Sequence, residues 1–226
     1  MTQPTYHPGE DLLRDYADGS LAEPPALVIA THLAFCPRCR IAVAEQEAIG
    51  GALLDEEALN PVSADCLEAV LARLDEPEPP ATIPEAPPPA LQPPPPTDPV
   101  RVPEPLRSYL GAPLESLSWH PVVRGIDEVD LRVGRAPVRT RLVRIRAGAS
   151  VPRHSHCGHE MNLVLSGGFR DERGAFGRGD VVIDDASVDH RPVADPGGDC
   201  ICLTVTDAPL RLTGGLGRIL NPFLRF

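Results

Sequence analysis

The chain has 226 residues, with 32 acidic and 21 basic side chains, all of the basic ones arginine, and a formal net charge of −11 at pH 7. Because binding to a nucleic-acid backbone depends on Arg and Lys side chains that replace counterions, this charge argues against direct nucleic-acid binding. The sequence has neither an apolar run of about 18 residues nor a secretory signal, so we expect a cytoplasmic protein without membrane contact, whose six cysteines are ligands or reactive thiols.

Apolar residues at helical spacing predict an all-α domain over residues 1–76. Its formal charge is −10, so this part carries most of the acidity of the chain. Proline is tolerated in the first turn of a helix, and serine is a common N-cap. Four helices are predicted: over 10–17, from Pro24 through Leu33, from Pro37 toward Leu53, and from Ser63 as an N-cap through Leu74.

The first helical region contains the pattern H-x3-C-x2-C, formed by His32, Cys36 and Cys39. On a helix, His32 and Cys36 lie one turn apart, and the x2 spacing brings a second thiolate toward the same ion. These ligand types suit tetrahedral zinc. His7 is the predicted fourth ligand, and Cys66 is the competing candidate for that position. The alternative is a redox dithiol at Cys36 and Cys39, which leaves His32 unexplained.

A proline-rich segment over residues 77–105 separates this domain from the rest of the chain. It contains 14 of the 28 prolines, and such a segment forms a semi-rigid spacer because it builds neither helices nor sheet ladders. We predict a linker here. A ligand for an aromatic-lined recognition module is the alternative.

Residues 106–226 show the alternating and short apolar runs of an all-β domain. The clearest strands are RTRLVRIRAG, MNLVLSG, DVVID and DCICLTVTD, which are separated by Gly, Pro and Asp turns. Several short strands with such turns predict a sandwich or a barrel.

A second metal motif opens this domain: Gly148-x5-His154-x-His156-x3-Glu160-x6-Gly167. It resembles the first motif of the cupin β-barrels, and His154 and His156 face the same way on an extended strand. The resemblance implies that a second motif supplies His190. It also implies a divalent metal at His154, His156, Glu160 and His190, with zinc as the leading choice and iron, manganese or nickel as alternatives.

Several other residues near this motif are weaker candidates. His159 is interpreted as a residue that supports the ligands or faces solvent, and Cys157 is either a reactive thiol or a buried inert one. Strand alternation places Cys200 and Cys202 on one face with Thr204. We treat both cysteines as candidate redox residues, with small core residues as the alternative.

The segment DYADGSL followed by H-x3-C-x2-C resembles the zinc-binding anti-sigma domain. Together with the cupin motif and the closing segment TGGLGRILNPFLRF, it makes the whole chain similar to the ChrR family of anti-sigma factors. The resemblance implies a multidomain protein with a zinc-binding helical bundle and a cupin barrel of the double-stranded β-helix type. It also implies zinc at His7, His32, Cys36 and Cys39.

This family resemblance implies a non-catalytic regulator. Its expected partner is an extracytoplasmic-function sigma factor, which the first domain inhibits and the cupin helps to release under singlet oxygen or organic hydroperoxide stress. The alternative is a metal-dependent cupin dioxygenase with an accessory helical zinc domain.

Overall fold

The computed structural model describes residues 3–58, 61–74, 102–134 and 137–214. The chain divides into two compact units, one of Met1–Gly50 with Val100–Phe226 and the other of Gly51–Pro99. Most of the predicted linker and the closing segment from residue 215 lie outside the described residues. The division into 1–76, 77–105 and 106–226 therefore stays a prediction, although the first 50 residues pack into the same unit as the β-rich region.

The helices begin and end close to the predicted positions. Two prolines in the first turn of the second helix fix its start. The first helix ends at Asp18, which is followed by Gly19 in a left-handed backbone conformation. A fifth helix begins at Glu104, so the last two residues of the predicted linker are helical, and it ends at Gly111, which is also left-handed. The bounds are α1 Glu10–Ala17, α2 Glu23–Leu33, α3 Pro37–Glu56, α4 Cys66–Arg73 and α5 Glu104–Leu110, followed by a short 3-10 helix at Leu114–Ser116.

Twelve strands are present in the described part of the β-rich region, and all four of the clearest predicted strands are among them. Their bounds are β1 His120–Val123, β2 Ile126–Leu131, β3 Arg139–Ile145, β4 His154–His156, β5 Glu160–Ser166, β6 Gly168–Asp171, β7 Gly174–Gly177, β8 Val181–Asp184, β9 Asp189–His190, β10 Val193–Ala194, β11 Cys200–Thr206 and β12 Leu210–Leu212.

These strands form one large and two small antiparallel sheets. The large sheet has the order β1-β2-β3-β11-β5-β8, and the small sheets have the orders β10-β6-β7 and β12-β4-β9. Strand β11 lies at the centre of the large sheet, paired with β3 and β5. Every one of its residues is buried, which indicates that both faces of the sheet are covered.

Two apolar clusters cover the two faces of β11. Cys200 and Cys202 belong to the cluster on one face, as their alternation predicts. Leu203 and Val205 belong to the other cluster, which also contains Val28 and Ile29 of α2. The zinc-motif helices thus pack on the outer face of the large sheet, and the burial of this apolar surface stabilises helices and sheet together.

The second unit contains the end of α3 and all of α4. Helix α4 begins at Cys66 with Asp65 at the N-cap position, two residues later than the Ser63 cap predicted from sequence. Its side chains are exposed. Cys66, the competitor of His7 as the fourth zinc ligand, has an exposed thiol.

Candidate metal centres

The four residues predicted to bind zinc come from three neighbouring pieces of backbone. His7 precedes α1, His32 lies in the last turn of α2, and Cys39 lies in the first turn of α3. Cys36 occupies the turn between α2 and α3, where its backbone N–H donates to the carbonyl oxygen of His32 over 3.0 Å. This turn brings both thiols next to His32, and the segment before α1 adds the second imidazole.

The spacing of these four side chains matches a tetrahedral ion. Their ligand atoms lie within 4.8 Å of one another. Nδ1 of His7 is 3.4 Å from Sγ of Cys36 and 3.5 Å from Sγ of Cys39, and Nε2 of His32 is 3.3 Å from Sγ of Cys39. Zinc bonds of about 2.0–2.3 Å place tetrahedral ligand atoms roughly 3.3–3.8 Å apart. Donor types and distances therefore both fit zinc.

Burial favours the neutral forms of His32 and Cys39. Desolvation lowers the pKa of His32. Desolvation, together with the neighbouring Cys36, raises the pKa of Cys39 to about 12, so the free thiol keeps its proton at neutral pH. Because zinc is bound by thiolates, its binding releases protons, and the cation stabilises the buried negative charge.

The imidazole of His32 is also held by the β-rich region. Its Nδ1 donates a hydrogen bond to the carbonyl oxygen of Gly179 over 2.7 Å. With the proton on Nδ1, the lone pair on Nε2 faces Cys39 and is free to bind a metal. A loop of the barrel therefore sets the tautomer of a ligand on the helices.

The second cluster lies among the strands of the cupin region. His154 and His156 alternate on β4, and His190 lies opposite His154 on the paired strand β9. All three imidazoles are buried, and their ligand atoms lie within 4.8 Å of one another. Glu160 begins β5, and its Oε1 is 3.7 Å from Nε2 of His156. The three histidines thus form one group, and Glu160 adjoins it through His156.

Hydrogen bonds orient two of these histidines toward a common point. Nδ1 of His154 donates to the carbonyl oxygen of Pro152, and Nδ1 of His190 donates to Oδ2 of Asp171, each over 2.8 Å. Both Nε2 atoms then carry lone pairs, and they lie 3.1 Å apart. Since two lone pairs at this distance repel, the arrangement fits a cation bound by both nitrogens.

The carboxylate of Glu160 is oriented by a chain of side-chain hydrogen bonds. Nδ2 of Asn162 donates to Oε1 of Glu160 over 2.6 Å, and Oγ1 of Thr204 donates to Oδ1 of Asn162 over 2.6 Å. Burial alone would raise the pKa of Glu160, but His156 and Asn162 beside it lower that pKa. The group is therefore an ionised carboxylate, which is the form that binds a divalent metal.

Sequence reasoning missed Asp184, which ends β8. Asp184 groups with His156 and Glu160, with ligand atoms within 4.8 Å of one another. Its Oδ1 accepts a hydrogen bond from Arg173, while its buried Oδ2 has no hydrogen-bond partner among the described residues. The sequence did indicate that Asp184 would be buried, because it lies two residues after the buried Val182 on a predicted strand and so on the same face of that strand.

An apolar cavity of about 200 Å³ adjoins the second cluster. His154, Glu160 and His190 line it together with Cys202 and Thr204, and most of the remaining lining residues are apolar. Three imidazoles and a carboxylate leave coordination positions open on most divalent metals. A metal held here would present them to a mainly apolar space.

The two candidate redox cysteines are buried thiols on β11. The Sγ atoms of Cys200 and Cys202 lie 3.7 Å apart. The hydrogen bond with Cys200 and burial raise the pKa of Cys202 well above its ordinary value. The neutral thiol is a weaker nucleophile than the thiolate, so nothing in this environment activates Cys202. Redox activity at either residue stays a prediction.

The two weaker candidates near the cupin motif both face solvent. The side chain of His159 is 70% exposed, and its Nδ1 is 3.1 Å from Oδ2 of Asp207. Cys157 is also exposed, which contradicts the buried alternative considered for it.

The fold and the two clusters define a cupin protein with a zinc-finger helical region at its N-terminus. The comparisons with known families agree with this class. A zinc-finger family matches residues 10–40, and the ChrR cupin-like domain family matches residues 110–209.

Comparison with whole proteins identifies the family. The chain is 41% identical over 221 residues to the anti-sigma-E factor ChrR of Cereibacter sphaeroides, and the alignment covers 97% of this chain and 98% of the relative. It also matches the crystal structure of Rhodobacter sphaeroides SigE in complex with the anti-sigma ChrR, with a TM-score of 0.73 and 38% identity, covering 89% of this chain and 98% of that one. The chain belongs to the ChrR family of anti-sigma factors.

Membership in this family confirms the predicted family and fold class, and it supports a regulatory, non-catalytic role. In the described part of the chain, no helix is both long and apolar enough to cross a membrane.

Proposed function

We propose that this protein is a zinc-dependent anti-sigma factor that binds and inhibits an extracytoplasmic-function sigma factor in the cytoplasm. The observation that carries the proposal is the similarity, over nearly the whole chain, to a ChrR protein whose structure was solved in complex with SigE. In this proposal residues 1–76 hold the sigma factor, residues 77–105 are a linker, and residues 106–226 form the regulatory cupin domain.

The zinc ion is assigned to His7, His32, Cys36 and Cys39. The distances among their ligand atoms and the burial of the two thiols support this assignment. Zinc would join the segment before α1 to the turn between α2 and α3, and so fix the relative positions of these helices.

An exposed apolar stripe on α4 supports a protein partner. Leu67, Val70, Leu71 and Leu74 follow the i, i+3, i+4, i+7 spacing of one helix face, and each is at least 51% exposed. Such a stripe is costly to leave in water and is typical of a surface that a partner covers. We assign this surface, together with the acidity of residues 1–76, to the sigma factor, whose DNA-binding surfaces are basic.

The cupin domain is assigned a divalent metal, with zinc as the leading choice, at His154, His156, Glu160 and His190. We propose that singlet oxygen or an organic hydroperoxide acts at this centre or at Cys200 and Cys202, and that the oxidised protein binds the sigma factor less tightly. Release requires such a difference in affinity between the two states.

Co-expression of the full chain with the host's extracytoplasmic-function sigma factors tests the proposal. One of them should co-purify with the chain. Leu71→Asp should weaken capture because it places a charge in the apolar stripe, whereas Ala69→Asp places the same charge on the opposite side of α4 and should not. Failure of every sigma factor to bind would overturn the proposed function.

The release step has a separate test. Oxidant should free the sigma factor from the wild-type complex, and His154→Ala and the double variant Cys200→Ser/Cys202→Ser should change that release. Normal release from both variants would exclude the cupin from the response. Iron in the barrel with consumption of dioxygen would instead favour the dioxygenase alternative.

A further inference from the structure

Three consecutive residues of the barrel, Gly179–Val181, contact the segment and the turn that carry the proposed zinc ligands. The carbonyl oxygen of Gly179 accepts a hydrogen bond from His32, the carboxylate of Asp180 accepts hydrogen bonds from the chain just before His7, and the backbone N–H of Val181 donates to the carbonyl oxygen of Tyr6 over 3.1 Å. Both histidines of the proposed zinc centre are therefore held, directly or through a neighbour, by the barrel.

Asp180 is the central residue of this contact. Its side chain is buried, and its Oδ1 accepts hydrogen bonds from the backbone N–H groups of Thr5 over 2.6 Å and Tyr6 over 3.0 Å. Its Oδ2 accepts a hydrogen bond from the N–H of Gly177 over 2.7 Å. One carboxylate thus joins a barrel turn to the two residues that precede His7.

The barrel turn that contains Gly179 packs closely against the zinc motif. The φ of this glycine is +93°, and a Cβ placed there would lie 2.8 Å from Cγ of Pro4 and 3.0 Å from Cβ of Phe35. Only glycine allows both this conformation and this approach. Beside it, the ring of Tyr6 packs on Phe176 with centroids 4.6 Å apart.

We propose that Asp180 and the carbonyl of Gly179 are positioning groups for the zinc centre, so that the barrel and the zinc ion stabilise one another. This inference rests on the zinc site proposed above. Partners that orient metal ligands change metal affinity by about 10–100-fold when they are removed. By linkage, the zinc ion must strengthen the contact with the barrel by the same factor as the contact strengthens zinc binding.

The rate of zinc release from the full chain to a chromogenic chelator tests the proposal. Asp180→Ala should release zinc about 10-fold faster than the wild type. Asp180→Asn should have a smaller effect, because its amide oxygen can still accept hydrogen bonds from Thr5 and Tyr6. The matched control is Asp199→Ala, which removes a carboxylate that accepts from the N–H of Ala147 elsewhere in the barrel, and it should leave the rate unchanged.

Cobalt substitution separates this effect from a general loss of stability. Only the cysteine-containing centre should give a sulfur-to-cobalt charge-transfer band, which Cys39→Ser should weaken and the double variant Cys36→Ser/Cys39→Ser should abolish. Asp180→Ala should shift or weaken that band, and Asp180→Asn should restore it in part. Absence of the band in the wild type would overturn the zinc site itself. A normal band with unchanged release from Asp180→Ala would overturn only the positioning role.

Hydrogen exchange in the wild-type chain gives a measurement that does not depend on folding of a variant. Removal of zinc should increase deuterium uptake in a peptide over residues 176–183, because Val181 loses its ordered acceptor on Tyr6. Asp180, which accepts from Gly177, also loses the two N–H groups that hold it. A peptide over residues 200–206, in the centre of the large sheet, should be unaffected. Unchanged uptake over residues 176–183 would overturn the proposal.

Discussion

Nε2 of His154 faces Nε2 of His190 at 3.1 Å, although 36 residues separate them in the sequence. Strand pairing sets this distance, because the two residues lie opposite one another on β4 and β9. Each Nδ1 is already occupied by an oxygen acceptor. Without a metal, the lone pairs of the two Nε2 atoms repel each other. A cation bound by both nitrogens removes this repulsion and so stabilises the site.

His154→Ala should reduce the metal bound by the full chain by one ion per molecule, since it removes one of the two facing lone pairs. Metal content measured by elemental analysis after dialysis checks this. His159→Ala is the matched control, because His159 is exposed and hydrogen-bonds to Asp207. An equal loss of metal from both variants would contradict the assignment.

Asp171→Asn should weaken metal binding in the barrel by about 10–100-fold without removing a ligand. The carboxylate of Asp171 accepts the hydrogen bond that keeps the proton of His190 on Nδ1. A competition titration with a chelator of known affinity measures the effect. Asp195→Asn, which alters an exposed ion pair with Arg170, should bind metal as the wild type does, and a parallel loss there would point to a general defect.

Removal of zinc should lower the stability of the whole first unit, because α2 and the large sheet share one apolar cluster. With zinc at 100–1,000 times its Kd, the stabilisation should be about 3–4 kcal/mol. Thermal or denaturant unfolding with and without a chelator measures it. Cys39→Ser should begin at the lower stability and should respond less to the chelator, because only the metal of the second cluster is left to remove; a full response would argue against this residue as a ligand.

Association with the sigma factor should slow as salt increases, because residues 1–76 carry a formal charge of −10 and long-range attraction is screened over about 8–10 Å at moderate ionic strength. Stopped-flow or surface measurements at several salt concentrations would give the rates. The dissociation rate should change much less. An association rate independent of salt would rule out electrostatic steering by this domain.

Local patterns predicted the secondary structure well. Alternation in DCICLTVTD placed Cys202 and Leu203 on opposite faces of β11, and proline spacing placed the start of α2. The three residues of the H-x3-C-x2-C motif lie together with His7, and the three predicted cupin histidines lie together with Glu160 beside His156. These features depend on periodicity and on ligand spacing within a few residues, which a sequence displays directly.

Contacts between distant residues were not predictable in the same way. Asp171 reaches the second cluster from a strand whose sequence contains no motif. For Asp184, strand alternation indicated burial but not that the side chain would lie beside His156 and Glu160. The burial of Asp180 beneath Thr5 depends on how α1–α3 pack on the sheet, and this packing has no local pattern. The division at the proline-rich segment likewise suggested independent parts, whereas the helices cover an apolar face that the large sheet would otherwise expose to water.

Strand β8 gives the two metal centres a short physical connection. It begins just after Gly179, which contacts a proposed zinc ligand, and it ends at Asp184 in the second cluster. The five residue steps from Gly179 to Asp184 span at most about 17 Å of extended chain. A route between the centres through this strand bypasses the 29 residues of the proline-rich segment, so shortening or stiffening that segment would leave the connection intact.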